Sequence, residues 1–237
     1  MTTKAPKFSK ALFRCSKLGL LMTNSRSKSE TLSKTTQTYL REYYIEKVYG
    51  RKKDFVTKYT AKGLLQEEDA ITLLSLHLKK MLVKNESNYQ NPHISGTPDI
   101  INNSIVYDVK SSWDIFTYFN SITSALIKDY YWQMQGYMAL THCNTSFIAF
   151  CLVNTPTHLI EAEKRKVNYH YDLLQKDITI DNLTSAFAEV DKSCIYDDIP
   201  NDKKIFLVKV LKNDDDIKSL YKRIIDCRIF LMNLSEL

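Results

Sequence analysis

Apolar side chains recur every three or four residues through much of the chain, which is the spacing of an amphipathic helix. This spacing predicts a helix over residues 33–49, with Ser33 as a suitable N-cap and Gly50 as the residue that ends it. A stronger apolar pattern opens at Gly63 and predicts a helix that runs to about Lys84. The same spacing predicts further helices over residues 129–140, 157–174, 181–190 and 214–234.

Runs of β-branched and apolar residues predict the strands. Two such runs flank the turn-forming sequence Asn-Asn-Ser at residues 102–104, and together they predict a hairpin. Apolar runs at residues 146–153 and 205–211 predict two more strands, the first of them buried on both faces. Residues 114–123 suit a loop or a short helix, and residues 1–30 suit a flexible start, a short helix and a loop.

The mixture of helices and strands, without a repeat or a Pro/Ser-rich linker, predicts one α/β domain. Within it we expect three parts. Residues 1–62 form a basic helical N-terminal lobe packed on the core, residues 63–155 form the core, and residues 156–237 form an extension of the same domain.

Charge is distributed unevenly along the chain, although the net charge is only +6. Residues 1–62 contain 15 basic and four acidic side chains, whereas residues 63–237 contain 18 basic and 23 acidic ones. This asymmetry indicates either a polyanionic partner for the N-terminal segment or a solvated lysine-rich surface without a ligand. Some of the acidic residues in the second part are also candidates for a cation site.

The same inventory argues against several classes of protein. No apolar run approaches the ~20 residues that a membrane-spanning helix needs, and the N-terminus lacks the apolar stretch of a signal peptide. The five cysteines are scattered and form no CxxC pair, so neither a disulfide framework nor a zinc or iron–sulfur centre is expected. We therefore expect an intracellular, reduced protein that does not enter a membrane.

The sequence GTPDIINNSIVYDVK, residues 96–110, carries the candidate chemistry. Asp99 enters the first arm of the predicted hairpin, while Asp108 and Lys110 lie two residues apart on the second arm and therefore on one face. Asp108 interrupts an apolar run, and a buried carboxylate is costly unless a cation accompanies it. Two carboxylates and the carbonyl of Val109 form an oxygen donor set suited to Mg²⁺. The alternative is a surface hairpin with an Asp–Lys ion pair.

The pattern PD-x8-DVK resembles the signature of the PD-(D/E)xK nuclease superfamily, and neighbouring segments extend the resemblance. GLLQEEDA is similar to the GxxxE motif of the lambda-exonuclease-like and RecB-type branches, in which Glu67 takes the acidic position. Gln133 and Tyr137 match the QxxxY motif of these branches. The resemblance implies a restriction-endonuclease-like αβββαβ core, in which helices flank a mixed central sheet, with an added helical N-terminal lobe.

A weaker match lies near the N-terminus, where FRCSKLG at residues 13–19 resembles the short RxS element of the lambda-exonuclease-like branch. In that branch the element sits by the pocket for the DNA end, which implies a DNA-binding role for Arg14 and Ser16. The alternative is that both residues are the cap and surface of an ordinary helix. The whole arrangement is similar to YqaJ-type viral recombinase nucleases.

The resemblance implies a Mg²⁺-dependent DNA exonuclease, with Mn²⁺ as a substitute, that hydrolyses phosphodiester bonds at duplex ends in phage-type recombination or repair. The implied metal ligands are Glu67, Asp99, Asp108 and the Val109 carbonyl. The implied catalytic residues are Glu67, Asp99, Asp108, Lys110, Gln133 and Tyr137. Expected partners are double-stranded DNA ends, a single-strand annealing protein and further copies of the chain in a ring, in the cytoplasm of a bacterial host.

Two other functions fit the same residues. One is an endonuclease of the same fold that acts on branched or foreign DNA, and the other is a catalytically inactive DNA-binding protein. Trp113 and Trp132 flank the motifs and either stack on an end base pair or pack in the core.

Overall fold

The computed structural model describes residues 8–53, 62–63, 65–123, 127–173 and 179–236, which contain both helices and strands. The strands are β1 (Phe13–Arg14), β2 (Tyr89–Gln90), β3 (Ile94–Gly96), β4 (Ile100–Asn102), β5 (Ile105–Ser111), β6 (Thr145–Cys151) and β7 (Ile205–Leu211). The α-helices are α1 (Leu18–Leu21), α2 (Lys34–Tyr49), α3 (Glu67–Leu78), α4 (Ile115–Thr123), α5 (Ile127–Thr141), α6 (Thr157–Leu173), α7 (Ile180–Cys194) and α8 (Asp214–Leu234). The expected flexible start falls at residues 1–7, outside the described residues.

The larger sheet is mixed and has the strand order β4-β5-β6-β7. Strands β4 and β5 are antiparallel, β5 and β6 are parallel, and β6 and β7 are antiparallel. The parallel pair is connected through α4 and α5, as a parallel connection requires a crossover. The predicted α/β fold with a mixed central sheet flanked by helices is confirmed.

The predicted hairpin is present and is formed by β4 and β5. Its two-residue turn, Asn103 and Ser104, has positive φ angles of 49° and 60°. Positive φ at both central positions is the geometry of a type I′ turn, which matches the twist of the flanking strands. The tight turn fixes the register of the hairpin, with Ile100 opposite Tyr107.

A small second sheet has the order β1-β3-β2 and was not predicted. Strand β1 is parallel to β3, with Phe13 opposite Ile94, and β2 is antiparallel to β3. Phe13 and Ile94 are fully buried, whereas Arg14 on the other face is exposed. The small sheet therefore ties the N-terminal segment to the residues immediately before the hairpin.

Two hydrophobic clusters cover opposite faces of the larger sheet. The main cluster includes Val106 of β5 and joins residues of the N-terminal segment, α5, β6 and α8. The second cluster includes Tyr107 and Val109 of β5 and is covered by α3. Because successive side chains of a strand point to opposite faces, Asp108 lies on the same face as Val106 and is directed toward α5.

Helix α2 has the limits predicted from its caps. The Ser33 side chain accepts a hydrogen bond from the Thr36 amide, and Gly50 ends the helix at φ 64°. The two C-terminal elements, β7 and α8, also have the predicted limits. No helix in the described ranges is long and apolar enough to cross a bilayer.

Helix α3 is shorter than predicted, because it ends at Leu78 instead of continuing to about Lys84. Lys79 adopts a left-handed conformation at φ 52°, and this reverses the chain. The Ser75 hydroxyl then accepts a hydrogen bond from the Leu82 amide. The apolar spacing that continued through Met81 was misleading, since this side chain is 87% exposed.

Gly136, in the middle of α5, lets the N-terminal segment approach the helix. A Cβ atom at this position would lie 2.6 Å from Leu18 Cδ1 and 2.9 Å from Cys15 Sγ. Alanine normally stabilises a helix by about 1 kcal/mol relative to glycine. Here we expect Gly136→Ala to destabilise the protein by about 1–3 kcal/mol, because overpacking outweighs helix propensity.

Urea unfolding measures this change, and Gly63→Ala is the matched control. Gly63 has helical backbone geometry, and no atom of the described residues lies within 4 Å of an added Cβ. The control should be neutral or slightly stabilising. A Gly136→Ala variant that is as stable as its parent would contradict the close approach of Cys15 and Leu18 to α5.

Candidate active site

Asp108 and Lys110 form an ion pair on β5 in which the carboxylate is buried and the lysine side chain is 25% exposed. Asp108 is 1% exposed, and its Oδ2 lies 2.5 Å from Nζ of Lys110. That contact lacks hydrogen-bond geometry, so Oδ2 has no hydrogen-bond partner in the described chain. Burial alone would lower the pKa of Lys110, but the carboxylates of Asp108 and Asp99 raise it above its ordinary value. Lys110 is therefore a cation at neutral pH.

Helix α5 supplies the polar neighbours of Asp108. Gln133 and Tyr137 are one turn apart and buried, and Gln133 Nε2 donates to Asp108 Oδ1 at 2.9 Å and to the Tyr137 hydroxyl at 3.1 Å. Burial, with the charge of Asp108 nearby, raises the pKa of the Tyr137 phenol. Tyr137 thus keeps its proton, and this proton has no acceptor within the described chain.

Asp99 precedes β4 and joins the same group. Its Oδ2 accepts a hydrogen bond of 2.7 Å from the backbone amide of Val109. Burial and the charge of Asp108 raise the pKa of Asp99 to about 7, against the opposing effects of Lys110 and of the Val109 amide. The hairpin therefore brings two carboxylates close enough to repel each other.

Glu67 is the first residue of α3. It contacts Lys84, a residue outside the sequence motifs, and Lys84 adjoins the segment that is bonded to Asp99. Lys84 Nζ lies 3.0 Å from Glu67 Oε2, and this contact raises the pKa of Lys84. The next residue, Asn85, donates its backbone amide to the Asp99 carbonyl at 2.7 Å. Glu67 and Asp99 are also close enough for the charge of Glu67 to raise the pKa of Asp99.

The donor chemistry of these residues fits a divalent cation. Carboxylates and a backbone carbonyl are the oxygen ligands that Mg²⁺ prefers, and Asp108 Oδ2 is a buried oxygen without a hydrogen-bond partner in the described chain. Within the described residues, no three acidic, histidine or cysteine side chains have the geometry of a metal centre. The ammonium groups of Lys84 and Lys110 instead neutralise the carboxylates that a metal ion would neutralise.

Arg14 and Ser16 border the same region. They line a cavity of about 300 Å³, here named the site cavity, whose wall also includes Tyr137. The remaining lining residues are Cys15, Asn88, Ser95, Gly96 and Thr97. Arg14 ends β1, and Ser16 lies in the single 3-10 turn Cys15–Lys17 that follows. The lining contains a positive charge and several hydroxyl groups but no carboxylate.

Comparisons with known proteins identify the fold. No protein-family model and no curated protein matches the chain. A phage-related exonuclease from Haemophilus somnus superposes with a TM-score of 0.78 at 26% identity, covering 96% of each chain. The alkaline exonuclease LHK-Exo from Laribacter hongkongensis superposes with a TM-score of 0.62 at 14% identity, covering 97% of this chain and 91% of that one. The chain has the lambda-exonuclease-like nuclease fold. The resemblance seen in the sequence is thus confirmed.

This fold likeness extends over nearly the whole chain, beyond the motifs. LHK-Exo in complex with dAMP also superposes, with a TM-score of 0.62 at 14% identity over 98% of this chain and 92% of that one. The comparisons together support a nuclease of the exonuclease type.

Around the lambda-exonuclease-like core, the two tryptophans have different surroundings. Trp132 is partly buried and packs against the main hydrophobic cluster, edge-on to Tyr131. Trp113 follows β5, and its carbonyl accepts a 2.8 Å hydrogen bond from Nζ of Lys62. Lys62 is 1% exposed, and its Nζ lies 5.8 Å from the ring centroid of Trp113 and 5.7 Å from that of Tyr196. No feature of the sequence predicts that Lys62 is buried.

Burial lowers the pKa of Lys62 from 10.5 to about 8. In the unfolded chain the pKa returns to its ordinary value, so between these two values the unfolded state binds more protons. The free energy of unfolding should therefore rise with pH relative to a Lys62→Met variant, by up to about 3 kcal/mol between about pH 7.5 and pH 10.5. Urea unfolding of both proteins across this range measures the effect.

Lys192→Met, which removes an exposed lysine from α7, is the control for this prediction. Its stability difference from the parent should not change over the same pH range. A constant difference for Lys62→Met as well would mean that Lys62 is solvated in the folded protein.

Proposed function

We propose that the protein is a Mg²⁺-dependent DNA exonuclease that hydrolyses phosphodiester bonds at duplex ends, in phage-type recombination or repair. The convergence of Asp99, Asp108 and Lys110 on one hairpin, beside Gln133 and Tyr137, carries this proposal. The structural likeness to a phage-related exonuclease at 26% identity supports it.

The site residues have distinct roles in this proposal. Asp99, Asp108, the Val109 carbonyl and Glu67 would hold Mg²⁺, which would lower the pKa of a bound water and supply positive charge beside the scissile phosphate. Lys110 remains protonated and offsets negative charge on that phosphate. Because electrostatic stabilisation requires groups that are already oriented, the hydrogen bond from Gln133 to Asp108 fixes the carboxylate before substrate binds.

Tyr137 and the site cavity would contact the DNA. The Tyr137 hydroxyl accepts a hydrogen bond from Gln133, so its own proton is directed to another acceptor, which we propose is a phosphate oxygen. Arg14 and Ser16 line the adjoining cavity and would bind the phosphate at the DNA end. The basic N-terminal segment would add sequence-independent phosphate contacts.

Incubation of the purified protein with Mg²⁺ and either linear or covalently closed circular DNA tests the reaction. We expect the linear duplex to be degraded and the circle to persist, with no degradation in the presence of a chelator. Cutting of the circle would instead support the endonuclease. Binding of both DNAs without any hydrolysis would support the inactive DNA-binding protein.

The expected partners extend this proposal. We propose that the enzyme acts in the cytoplasm of a bacterial host, as a ring of identical subunits, and supplies single-stranded DNA to an annealing protein. Light scattering on the purified protein, with and without linear DNA, measures the oligomeric state. A strictly monomeric particle under both conditions would contradict the ring.

A further inference from the structure

A second cavity lies at the opposite end of the small sheet from the site cavity. It has a volume of about 510 Å³ and is here named the far cavity. Its lining residues are Lys10, Leu12, Gln90, Asn91, Pro92 and Arg228. The site cavity borders the C-terminal ends of β1 and β3, whereas the far cavity borders the residues that precede these strands.

Arg228 of α8 is held in one orientation at the wall of the far cavity. Its Nε and Nη2 donate to the Ala11 carbonyl at 3.1 and 2.9 Å, and Nη2 also donates to the Pro92 carbonyl at 2.5 Å. Its Nη1 has no partner within the described chain. The two carbonyls therefore orient the guanidinium while leaving one nitrogen free to bind a ligand.

The charge around this guanidinium is not neutralised. The lining of the far cavity contains no carboxylate, and Lys10 adds a second positive charge. Lys10 is exposed and, within the described chain, has no ion-pair partner. A fixed guanidinium beside a free ammonium is an arrangement that binds phosphate oxygens.

A row of polar side chains connects the far cavity with the site cavity. Arg14, Ser95 and Gln90 are neighbours across the three strands of the small sheet. Arg14 and Ser95 line the site cavity, and Gln90 lines the far cavity. Neighbouring strands lie ~4.8 Å apart, so the row extends about 10 Å across the sheet from Arg14 to Gln90.

We propose that the far cavity binds a backbone phosphate of the DNA strand whose end occupies the site cavity, and that the polar row guides the strand between the two cavities. The inference rests on the proposed function, because it assumes that DNA occupies the site cavity. It adds a binding site that no motif in the sequence marks. A free mononucleotide carries the same phosphate chemistry and is the competing ligand.

Fluorescence anisotropy with a labelled linear duplex, without divalent metal so that hydrolysis is suppressed, tests this site. Lys10→Glu should raise Kd about tenfold and make the slope of log Kd against log salt shallower by about one unit, because one phosphate contact is lost. Gln90→Lys should lower Kd several-fold and make the slope steeper by about one unit. Neither variant removes a hydrogen bond that holds the fold.

Lys192→Glu applies the same charge reversal on α7 and should change Kd by no more than about twofold and leave the slope unchanged. If Lys10→Glu behaves like this control, or if Gln90→Lys fails to tighten binding, the far cavity is not part of the DNA interface. Direct calorimetric titration with dAMP distinguishes the other ligand. An equal Kd for dAMP in the parent and Lys10→Glu supports the strand, whereas a Kd for dAMP that Lys10→Glu raises indicates a mononucleotide site.

The same samples separate this inference from the proposed function. Variants that alter binding as expected, in a protein that never degrades linear DNA with Mg²⁺, uphold the DNA contact and contradict the exonuclease. If Lys10→Glu and Gln90→Lys degrade linear DNA at the parental rate and bind it with unchanged affinity, the exonuclease is upheld and the far-cavity site is contradicted.

Discussion

Asp108→Asn should reduce the hydrolysis of linear DNA by roughly a thousandfold or more, which corresponds to about 4 kcal/mol of transition-state stabilisation. The substitution keeps the size of the side chain and the oxygen that accepts from Gln133, so the local packing is preserved. It removes the negative charge that a divalent cation requires. It also removes the counter-charge of Lys110, which lies 2.5 Å away. The initial rate of nucleotide release at saturating Mg²⁺ measures the effect.

Asp202→Asn is the matched control for this substitution. Asp202 is 65% exposed and lies 3.6 Å from Lys203, so the control also removes a carboxylate from an ion pair, but at the surface. We expect its activity to stay within about twofold of the parent, since exposed ion pairs contribute little. An Asp108→Asn enzyme as fast as its parent would remove Asp108 from the catalytic site.

Lys110→Met should damage both stability and catalysis. Removal of one member of a buried ion pair leaves the other charge uncompensated, and such a change costs about 3–5 kcal/mol. Asp108, at 1% exposure, would then retain only the hydrogen bond from Gln133. Hydrolysis should fall by about a hundredfold or more because the phosphate loses a neighbouring cation. Urea unfolding and the rate of DNA degradation measure the two effects.

The double variant Asp108→Asn, Lys110→Met separates these effects. It leaves no buried charge at this point of β5, so it should recover most of the stability lost in Lys110→Met while remaining inactive. Mg²⁺ should also raise the melting temperature of Lys110→Met more than that of the double variant, because binding to the folded state stabilises it. Equal stability of the single and double variants would show that Asp108 is not held by Lys110.

The sequence predicted those elements whose signals are local. Helix α2 is defined by its own caps at Ser33 and Gly50, and the hairpin by the turn at Asn103 and Ser104. Asp108 stood out because it interrupts an apolar run, and its burial agrees with that interpretation. Helix caps, tight turns and a break in an apolar run are encoded within a few residues of the element, so they can be predicted without knowledge of the rest of the fold.

Elements that depend on distant residues were not predicted. Strands β1 and β2 have only two residues each, too few for a periodic pattern, and β1 pairs with a strand about 80 residues away in the chain. The end of α3 depends on the backbone reversal at Lys79, which carries no turn-forming residue type. Lys84 was missed for the same reason, because only that reversal brings it to Glu67.

The hydrogen bonds from Arg228 to the Ala11 and Pro92 carbonyls have a consequence for synthesis of the protein on the ribosome. The guanidinium belongs to α8, whereas the carbonyls precede β1 and β3 of the small sheet, at the end that borders the far cavity. While α8 is still inside the ribosome, the nascent chain therefore lacks the side chain that joins these two carbonyls. The hydrogen bonds from this guanidinium to the two carbonyls can form only after residue 228 has emerged from the ribosome.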